Sequence, residues 1–336
     1  MSKFKHFNLY ERQRIARYLK RRKSRRFIAG KLERSVSAIN DEIKNNRVKG
    51  SYIAKKAHHK AYAKRKYSKI QSLKVVSDPQ LREFVETNIA GDQTPAGISG
   101  RLKEVQKNIE YASAKAIYKF VYSPYGRNIE KHLYSKAVKK HGGPKRGTPA
   151  TIDGRTMIDR RPKIVQNRVQ FGHFEGDFIE SGKDGKGSLL VIVERKTRYP
   201  FLHYMENRDT ASVNQAVNEL LGPYPVRSLT IDNDLSFQKH EELSELIDAA
   251  IFFCHPQAPH EKGTIENRNK AIRRYVPKRS DLSKYPAGHF AMVEQKLRTR
   301  YMKCLGYHTP QEAFEKEMRK QKRHAVVVSL QERVLI

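Results

Sequence analysis

The stretch SLLVIVER, residues 188–195, constrains the fold more than any other part of this chain. It is almost continuously apolar, the pattern of a strand at the centre of a covered sheet. Strand-like runs precede and follow it, HFEGDFIE at 173–180 and RYPFLHYM at 198–205. The segment GKDGKG between the first two runs predicts a hairpin turn. A chain with these three runs must build a sheet in its second half.

The pattern then alternates between helix and strand. Helical runs begin at DTASVNQ, SFQKHEE and GTIENRN, and strand-like runs at VRSLTID and IFFCHP separate them. The order is three strands followed by helix, strand, helix, strand and helix, which predicts an α/β domain with a mixed sheet over 169–284. Residues 285–336 are basic and predict a C-terminal helical extension, ending in an apolar strand-like piece, HAVVVSL.

The first 50 residues have a different character. Apolar residues at helical spacing predict three short helices, and Ser24 and Ser35 occupy N-cap positions. A tight turn before the third helix gives a helix-turn-helix outline, so we expect DNA binding by 1–50. The alternative to DNA binding is a purely structural role, as a basic three-helix bundle with a solvated face. The residues expected to touch bases or phosphates are Arg34, Ser35, Ser37, Asn40 and Lys44.

Three more segments complete the predicted organisation into several domains. Residues 51–78 read as a basic helical linker, either a solvated spacer or a helix that follows a DNA backbone. Residues 79–138 predict a second helix-turn-helix-like unit, with Thr94 before Pro95 at the start of a helix. Residues 139–168 are rich in Gly, Pro and basic side chains and predict a linker.

Charge points to the partner. The chain carries 68 Lys and Arg against 35 Asp and Glu, a net charge of +33. The first 75 residues alone hold 24 basic and 4 acidic residues. Such an excess favours a polyanion, most often nucleic acid. Apolar runs are too short to span a bilayer, no signal core is visible, and the two cysteines form no CxxC motif. These features suit a protein of a reducing cytoplasm.

Three carboxylates at the edges of the α/β domain need an explanation. Asp177 lies on the first strand, Asp232 ends the fourth, and Glu266 lies near the start of the last helix. If they converge, they repel one another unless cations intervene, and hard divalent ions prefer oxygen ligands. Two Mg²⁺ ions about 4 Å apart can activate a nucleophile and stabilise the leaving oxygen of a phosphodiester. Each acid alone is more simply a turn cap or a solvated residue.

The motifs ERSVSAINDEIKNN, TPAGISGRL, RRPKIVQNR, GHFEGDFI, VERKTRY, LTIDNDLSF and HEKGTIENRNKAIRRYVPK occur in this order. Together they resemble bacterial DDE transposases of the insertion-sequence-thirty family, from about residue 4 to about residue 316. The resemblance implies a retroviral-integrase-like RNase H fold and N-terminal helix-turn-helix modules that recognise terminal inverted repeats. It assigns the catalytic, metal-binding triad to Asp177, Asp232 and Glu266, with Mn²⁺ able to replace Mg²⁺. Basic residues expected near the transposon end are Lys270, Arg273 and Lys278.

The sequence therefore predicts a transposase that pairs two DNA ends as a homo-oligomer, expected to be a dimer, and then cleaves and joins strands. Two alternatives remain open. One is a domesticated, catalytically silent DNA-binding protein. The other is a Mg²⁺-dependent nuclease or recombinase of similar fold that acts on other DNA.

Overall fold

The structure is a computed structural model that describes residues 6–48, 50–67, 73–133, 152–256, 258, 261 and 263–334, with the side chains of 66–67 and 324–334 excluded. The chain divides into two compact units, Met1–Ser77 and Asp78–Ile336. The boundary coincides with the predicted start of the second helical unit. Among the described residues, no helix combines the length and the apolar character that crossing a membrane requires.

The first unit is all-helical. Its helices are α1 (Leu9–Lys20), α2 (Arg25–Leu32), α3 (Val36–Asn46) and α4 (Ala54–Tyr67). Ser24 and Ser35 are N-caps as expected, because their side chains accept hydrogen bonds from the backbone N–H groups of Phe27 and Ala38. The turn between α2 and α3 passes through Glu33 in the left-handed conformation. Three residues thus separate the two helices, which gives the tight turn that the sequence predicts.

A buried ion pair lies under these helices. Arg12 on α1 is 1% exposed, and its Nε lies 2.7 Å from Glu42 Oε1 on α3. The hydroxyl of Tyr52 donates to the same carboxylate at 3.0 Å. Burial and the neighbouring Glu42 raise the pKa of Tyr52, so this hydroxyl stays a donor. The network joins α1 and α3 to the segment that leads into α4.

The prediction of a linker over 51–78 is wrong for the part that forms α4. Helix α4 packs in the first unit, with Ala54, Ala57 and Ala61 buried. Small alanines let this helix approach α1 and α3 closely, while Lys55, Lys56, Lys60 and Lys64 are exposed. Residues 68–72 lie outside the described part of the chain. The prediction failed because alanine is a weak apolar signal in a segment dominated by lysine.

The short helix α5 (Lys74–Ser77) ends the first unit. The second unit begins with a helical region formed by α6 (Pro79–Ala90), α7 (Pro95–Glu104) and α8 (Ala114–Val121). Thr94 caps α7, with Pro95 in its first turn, as predicted. The loop residue Asp92 accepts hydrogen bonds from Arg274 at 2.7 Å and Tyr275 at 3.2 Å, and also pairs with Lys296. The described part of the predicted unit, residues 79–133, is therefore not independent, because Asp92 binds it to the remainder of the second unit.

The sheet has five strands in the order β3-β2-β1-β4-β5. Strand β1 pairs antiparallel with β2 and parallel with β4; β2 and β3 are antiparallel, and β4 and β5 are parallel. The strands are β1 (His173–Glu180), β2 (Ser188–Glu194), β3 (Pro200–Met205), β4 (Ser228–Ile231) and β5 (Ala250–Phe253). The mixed sheet predicted from the sequence is confirmed, and every residue of β2 is buried.

Helices cover both faces of the sheet. The helices after α8 are α9 (Lys163–Gln166), α10 (Thr210–Leu221), α11 (His240–Leu246), α12 (Gly263–Ile272), α13 (His289–Arg298) and α14 (Pro310–Val334). One core joins Phe174, Leu190 and Ile231 to α10 and α11. The other joins Ile179 and Val191 to α12 and α13. Alternate strand residues therefore face opposite cores, as the twofold period of a strand requires.

Two other predictions need correction. The linker expected over 139–168 lies outside the described residues up to 151, but 152–168 pack into the domain. Ile152, Ile158 and Val165 are buried, and Phe253 on β5 donates its backbone N–H to the Thr156 carbonyl. The strand-like piece HAVVVSL lies within the long helix α14. Thr309 and Glu312 form a capping box there, and the helix continues through the β-branched run.

His173 at the start of β1 gives a pH dependence. It is 6% exposed, bonded to Ser228 Oγ at 2.7 Å and Gln170 Oε1 at 3.0 Å, and burial with nearby arginines lowers its pKa to about 4. The unfolded chain binds this proton near pH 6.5. The contribution of neutral His173 to the free energy of unfolding is thus complete above pH 6.5 and declines as the pH falls toward 4. The midpoints of urea unfolding at pH 7.5 and pH 5 should differ less in His173→Gln than in wild type. The same difference in both proteins would contradict this prediction.

Candidate functional site

Asp177 and Asp232 occupy neighbouring strands of the sheet. Register pairs Glu175 on β1 with Thr230 on β4. Continued by two residues, it places Asp177 level with Asp232, which directly follows β4. Asp177 lies on the face covered by α12, because Asn269 of that helix donates a hydrogen bond to its Oδ2 at 2.7 Å. Two carboxylates from adjacent parallel strands thus lie side by side where β4 ends. This position, with Asp177 and Asp232, is called the acidic edge below.

Glu266 lies on α12, one turn before Asn269. Its side chain is half exposed and forms an ion pair with Lys270 at 3.0 Å, one turn further along the helix. Lys270 is therefore a partner of Glu266 here rather than a free cation. Among the described residues, no group of three or more His, Cys, Asp or Glu side chains is placed to hold a metal ion. The helix of Glu266 thus packs on the sheet face of Asp177, but its carboxylate points to Lys270.

A buried carboxylate that the sequence analysis missed attaches α12 to the sheet. Glu175 on β1 is fully buried, and its Oε2 accepts the backbone N–H of Ile265 in the first turn of α12 at 2.9 Å. Its Oε1 accepts from Arg195 Nε at 2.8 Å. A carboxylate suits the positive end of a helix dipole. Glu175 therefore fixes where α12, and with it Glu266, stands relative to Asp177.

Further polar residues surround this anchor. Arg195 also donates to the Val165 carbonyl on α9. Glu194, fully buried, accepts from the backbone N–H groups of Gly172 and Thr197. Burial raises the pKa of the Glu194 carboxyl. The motifs GHFEGDFI and VERKTRY thus meet in one buried network behind the acidic edge. An acid two residues before Asp177, on the same strand face, was the available signal.

Asp234 is a turn residue. Its Oδ1 accepts the backbone N–H of Ser236 at 2.9 Å, and its Oδ2 pairs with Arg208. Arg208 also binds Glu180 and stacks over Phe178 at 4.5 Å. Asp234 therefore caps the short 3₁₀ turn Leu235–Phe237 rather than joining the other two aspartates.

The remaining basic candidates of the second unit follow Glu266. Arg273 is half-buried, and its guanidinium has neither a hydrogen bond nor an ion pair within the described residues. Burial lowers its pKa. Lys278 is exposed beyond the end of α12. Arg273 in particular is a partly desolvated cation without an acidic partner in this part of the structure.

The candidates of the first unit are less uniform. Ser37 and Lys44 are exposed on α3, and Ser35 is its N-cap. Asn40 accepts from Arg25 at 2.9 Å. Arg34 pairs with Glu11 at 2.9 Å and stacks on the ring of Phe7, so a phosphate would have to compete with the Glu11 carboxylate.

Known proteins resemble this chain over most of its length. The transposase InsI for insertion sequence element IS30A of Escherichia coli (strain K12) is 32% identical over 327 residues, covering 93% of this chain and 84% of that one. The transposase for insertion sequence element IS4351 of Bacteroides fragilis is 31% identical over 318 residues, covering 93% and 96%. No family model matches the chain. A crystal structure of the catalytic core domain of BIV integrase covers 45% of this chain and 98% of its own, with a TM-score of 0.37 and 19% identity.

Proposed function

This chain belongs to the insertion-sequence-thirty (IS30) family of transposases, and we propose that it binds the terminal inverted repeats of an insertion sequence and catalyses Mg²⁺-dependent strand cleavage and strand transfer. One observation carries the proposal. Asp177 and Asp232 stand level on paired strands, and the helix that bears Glu266 packs on the sheet face of Asp177. We propose an RNase H-like catalytic core for this domain, which its mixed sheet of three antiparallel strands followed by two parallel ones supports.

The acidic edge fits a divalent cation. Its donors are carboxylate oxygens, the ligands that Mg²⁺ prefers. Beside Asp177, the buried Oδ1 of Asn269 has no hydrogen-bond partner among the described residues, which leaves one more oxygen for this edge. Glu266 must turn away from Lys270 to join the aspartates. An exposed i,i+4 pair contributes only about 0.3–0.5 kcal/mol, so this rotation costs little. Asp177, Asp232 and Glu266 would then hold the cations.

The chemistry divides between the cations and the chain. When bound, two divalent ions can activate a water or a 3′-hydroxyl and stabilise the leaving oxygen of the phosphodiester. The carboxylates position these ions, and Glu175 holds the helix that presents Glu266. Lys270, once released from Glu266, lies on the same helical face and can neutralise a phosphate. No covalent bond between protein and DNA is needed.

DNA binding is assigned to the first unit and to the basic residues after Glu266. We propose that α2 and α3 form a helix-turn-helix, which the three-residue turn between them supports. Ser37 and Lys44 are exposed on α3 and suit base and phosphate contacts. A homo-oligomer, expected to be a dimer, would pair two DNA ends.

The proposal is tested with a duplex that carries the DNA flanking the gene. Wild type should nick a 3′ end and join it to target DNA in Mg²⁺, and less specifically in Mn²⁺. Glu266→Gln should bind the duplex equally but produce no strand chemistry. Tight binding without strand chemistry in wild type, in either metal, would overturn the proposal and favour a domesticated DNA-binding protein.

Arg273 gives a separate prediction for DNA binding. Its partly buried guanidinium has no acidic partner in the described structure, which suits a DNA phosphate. Arg273→Gln should weaken binding of the transposon end and reduce the slope of log Kd against log salt concentration by about 1. Lys316→Gln, at an exposed position of α14, is the control with the same charge change. Equal salt slopes for wild type and Arg273→Gln would contradict the phosphate contact.

A further inference from the structure

Asn269 links the helix that bears Glu266 to Asp177. It lies three residues after Glu266 on α12, and its Nδ2 donates to Asp177 Oδ2 at 2.7 Å. An ionised carboxylate has no hydrogen to give, so the amide must face it with its nitrogen. The orientation of the amide group is therefore fixed by chemistry. Its oxygen must point elsewhere.

That oxygen is buried and without a partner. Asn269 Oδ1 is out of contact with solvent and accepts no hydrogen bond from any described residue. A buried acceptor that is left unsatisfied destabilises the folded chain. Natural structures keep such groups for a reason, often an ion or a water molecule that completes the site. The ligand that suits Oδ1 is therefore a donor or a cation.

Asn269 is not needed to attach α12 to the sheet. Glu175 already does so through the backbone of Ile265 at 2.9 Å, with Arg195 behind it. A hydrogen bond whose purpose was attachment would also not require an amide with a second, unsatisfied atom. Attachment of α12 therefore does not explain Asn269, and its side chain is placed to act at the acidic edge itself.

We propose that Asn269 is a positioning residue of the cation site. Its N–H orients the Asp177 carboxylate, and its Oδ1 accepts a hydrogen bond from the hydration shell of the divalent cation. Mg²⁺ retains several waters in protein sites, and each is a strong donor. A neutral amide performs both tasks without adding a further negative charge beside Asp177. The inference rests on the proposed function, because it requires a cation at Asp177 and Asp232.

The test measures cation binding rather than activity. The full-length protein without DNA is titrated with Mn²⁺, and the thermal unfolding midpoint is followed. Asn269→Leu and Asn269→Ala, which lack both polar groups, should need about tenfold more Mn²⁺ for half of the stabilisation. Asn269→Asp should unfold at a lower temperature without metal, because two carboxylates then repel, and Mn²⁺ should stabilise it more than wild type.

Asn267 supplies the matched control. It lies on the same helix and is exposed, and its side chain donates to the Gly263 carbonyl at 2.9 Å. Asn267→Asp adds the same charge to α12 and should keep the wild-type Mn²⁺ dependence. If the Asn269 variants keep the wild-type Mn²⁺ midpoint, Asn269 is merely structural and the inference is wrong.

Asp232→Asn separates this inference from the proposed function. If wild type gains stability from Mn²⁺ and Asp232→Asn does not, the cation site exists, and the Asn269 variants alone decide the inference. If wild type and Asp232→Asn respond alike, the proposed cation site itself fails. The two failures therefore give different results in one set of titrations.

Discussion

Asp232→Asn is expected to reduce strand cleavage by at least about 100-fold while leaving the fold and DNA binding intact. Loss of a group that merely orients a metal ligand already costs about 10–100-fold, and Asp232 is proposed as a ligand itself. The substitution keeps the shape of the side chain and removes its charge. Asp232 stands level with Asp177 at the end of β4, where a cation would need both carboxylates.

Asp234→Asn is the matched control for this prediction. It makes the same chemical change two residues later, on a carboxylate that caps Ser236 and pairs with Arg208. Cleavage should fall by no more than a few fold. Gel assays of 3′-end nicking, beside binding assays on the same duplex, distinguish the two variants. Equal losses in both would mean that Asp232 is also only a turn residue.

Glu175→Leu is expected to destabilise the second unit by about 3–5 kcal/mol. The substitution leaves Arg195 buried without its carboxylate, and removing one partner of a buried pair carries a cost of this size. It also removes the acceptor for the first turn of α12. Urea unfolding followed by circular dichroism gives the change. Glu175→Leu combined with Arg195→Met should recover part of the loss, because no unpaired charge then remains.

Glu180→Leu on the same strand is the control for Glu175. Glu180 is exposed and pairs with Arg208, and an exposed ion pair contributes about 0–1 kcal/mol. Its substitution should therefore change the free energy of unfolding little. If Glu175→Leu is equally mild, the buried pair does not hold α12 as described.

Most of the sheet domain could be predicted because its signals are strong and local. SLLVIVE is apolar from Leu189 to Val193 and became the fully buried strand β2. Helix starts were visible in Ser24, Ser35 and Thr94, since capping depends on a few neighbouring residues. The strand order places β1 beside β4, which brings the strands of the two aspartates together.

The failures came from tertiary context. Helix α4 buries small alanines, which give little periodic signal among lysines. The run HAVVVSL contains β-branched residues, yet it continues a long helix that a capping box starts at Thr309. Propensity is a weak prior, and context overrides it. Glu175 was missed because an acid in a strand reads as solvent-facing until its buried partners are known.

The central claim is that Asp177 holds a divalent cation for strand chemistry, and a metal-specificity switch tests it most directly. The measurement is the rate of 3′-end cleavage in Mn²⁺ divided by the rate in Mg²⁺, for wild type, Asp177→Cys and Asp177→Asn. A thiolate binds softer metals better than it binds Mg²⁺. We predict that Asp177→Cys is much slower than wild type in Mg²⁺, with a ratio at least about tenfold above wild type, and that Asp177→Asn is inactive in both metals. Wild-type rates in Mg²⁺ for both variants, with unchanged ratios, would contradict the claim.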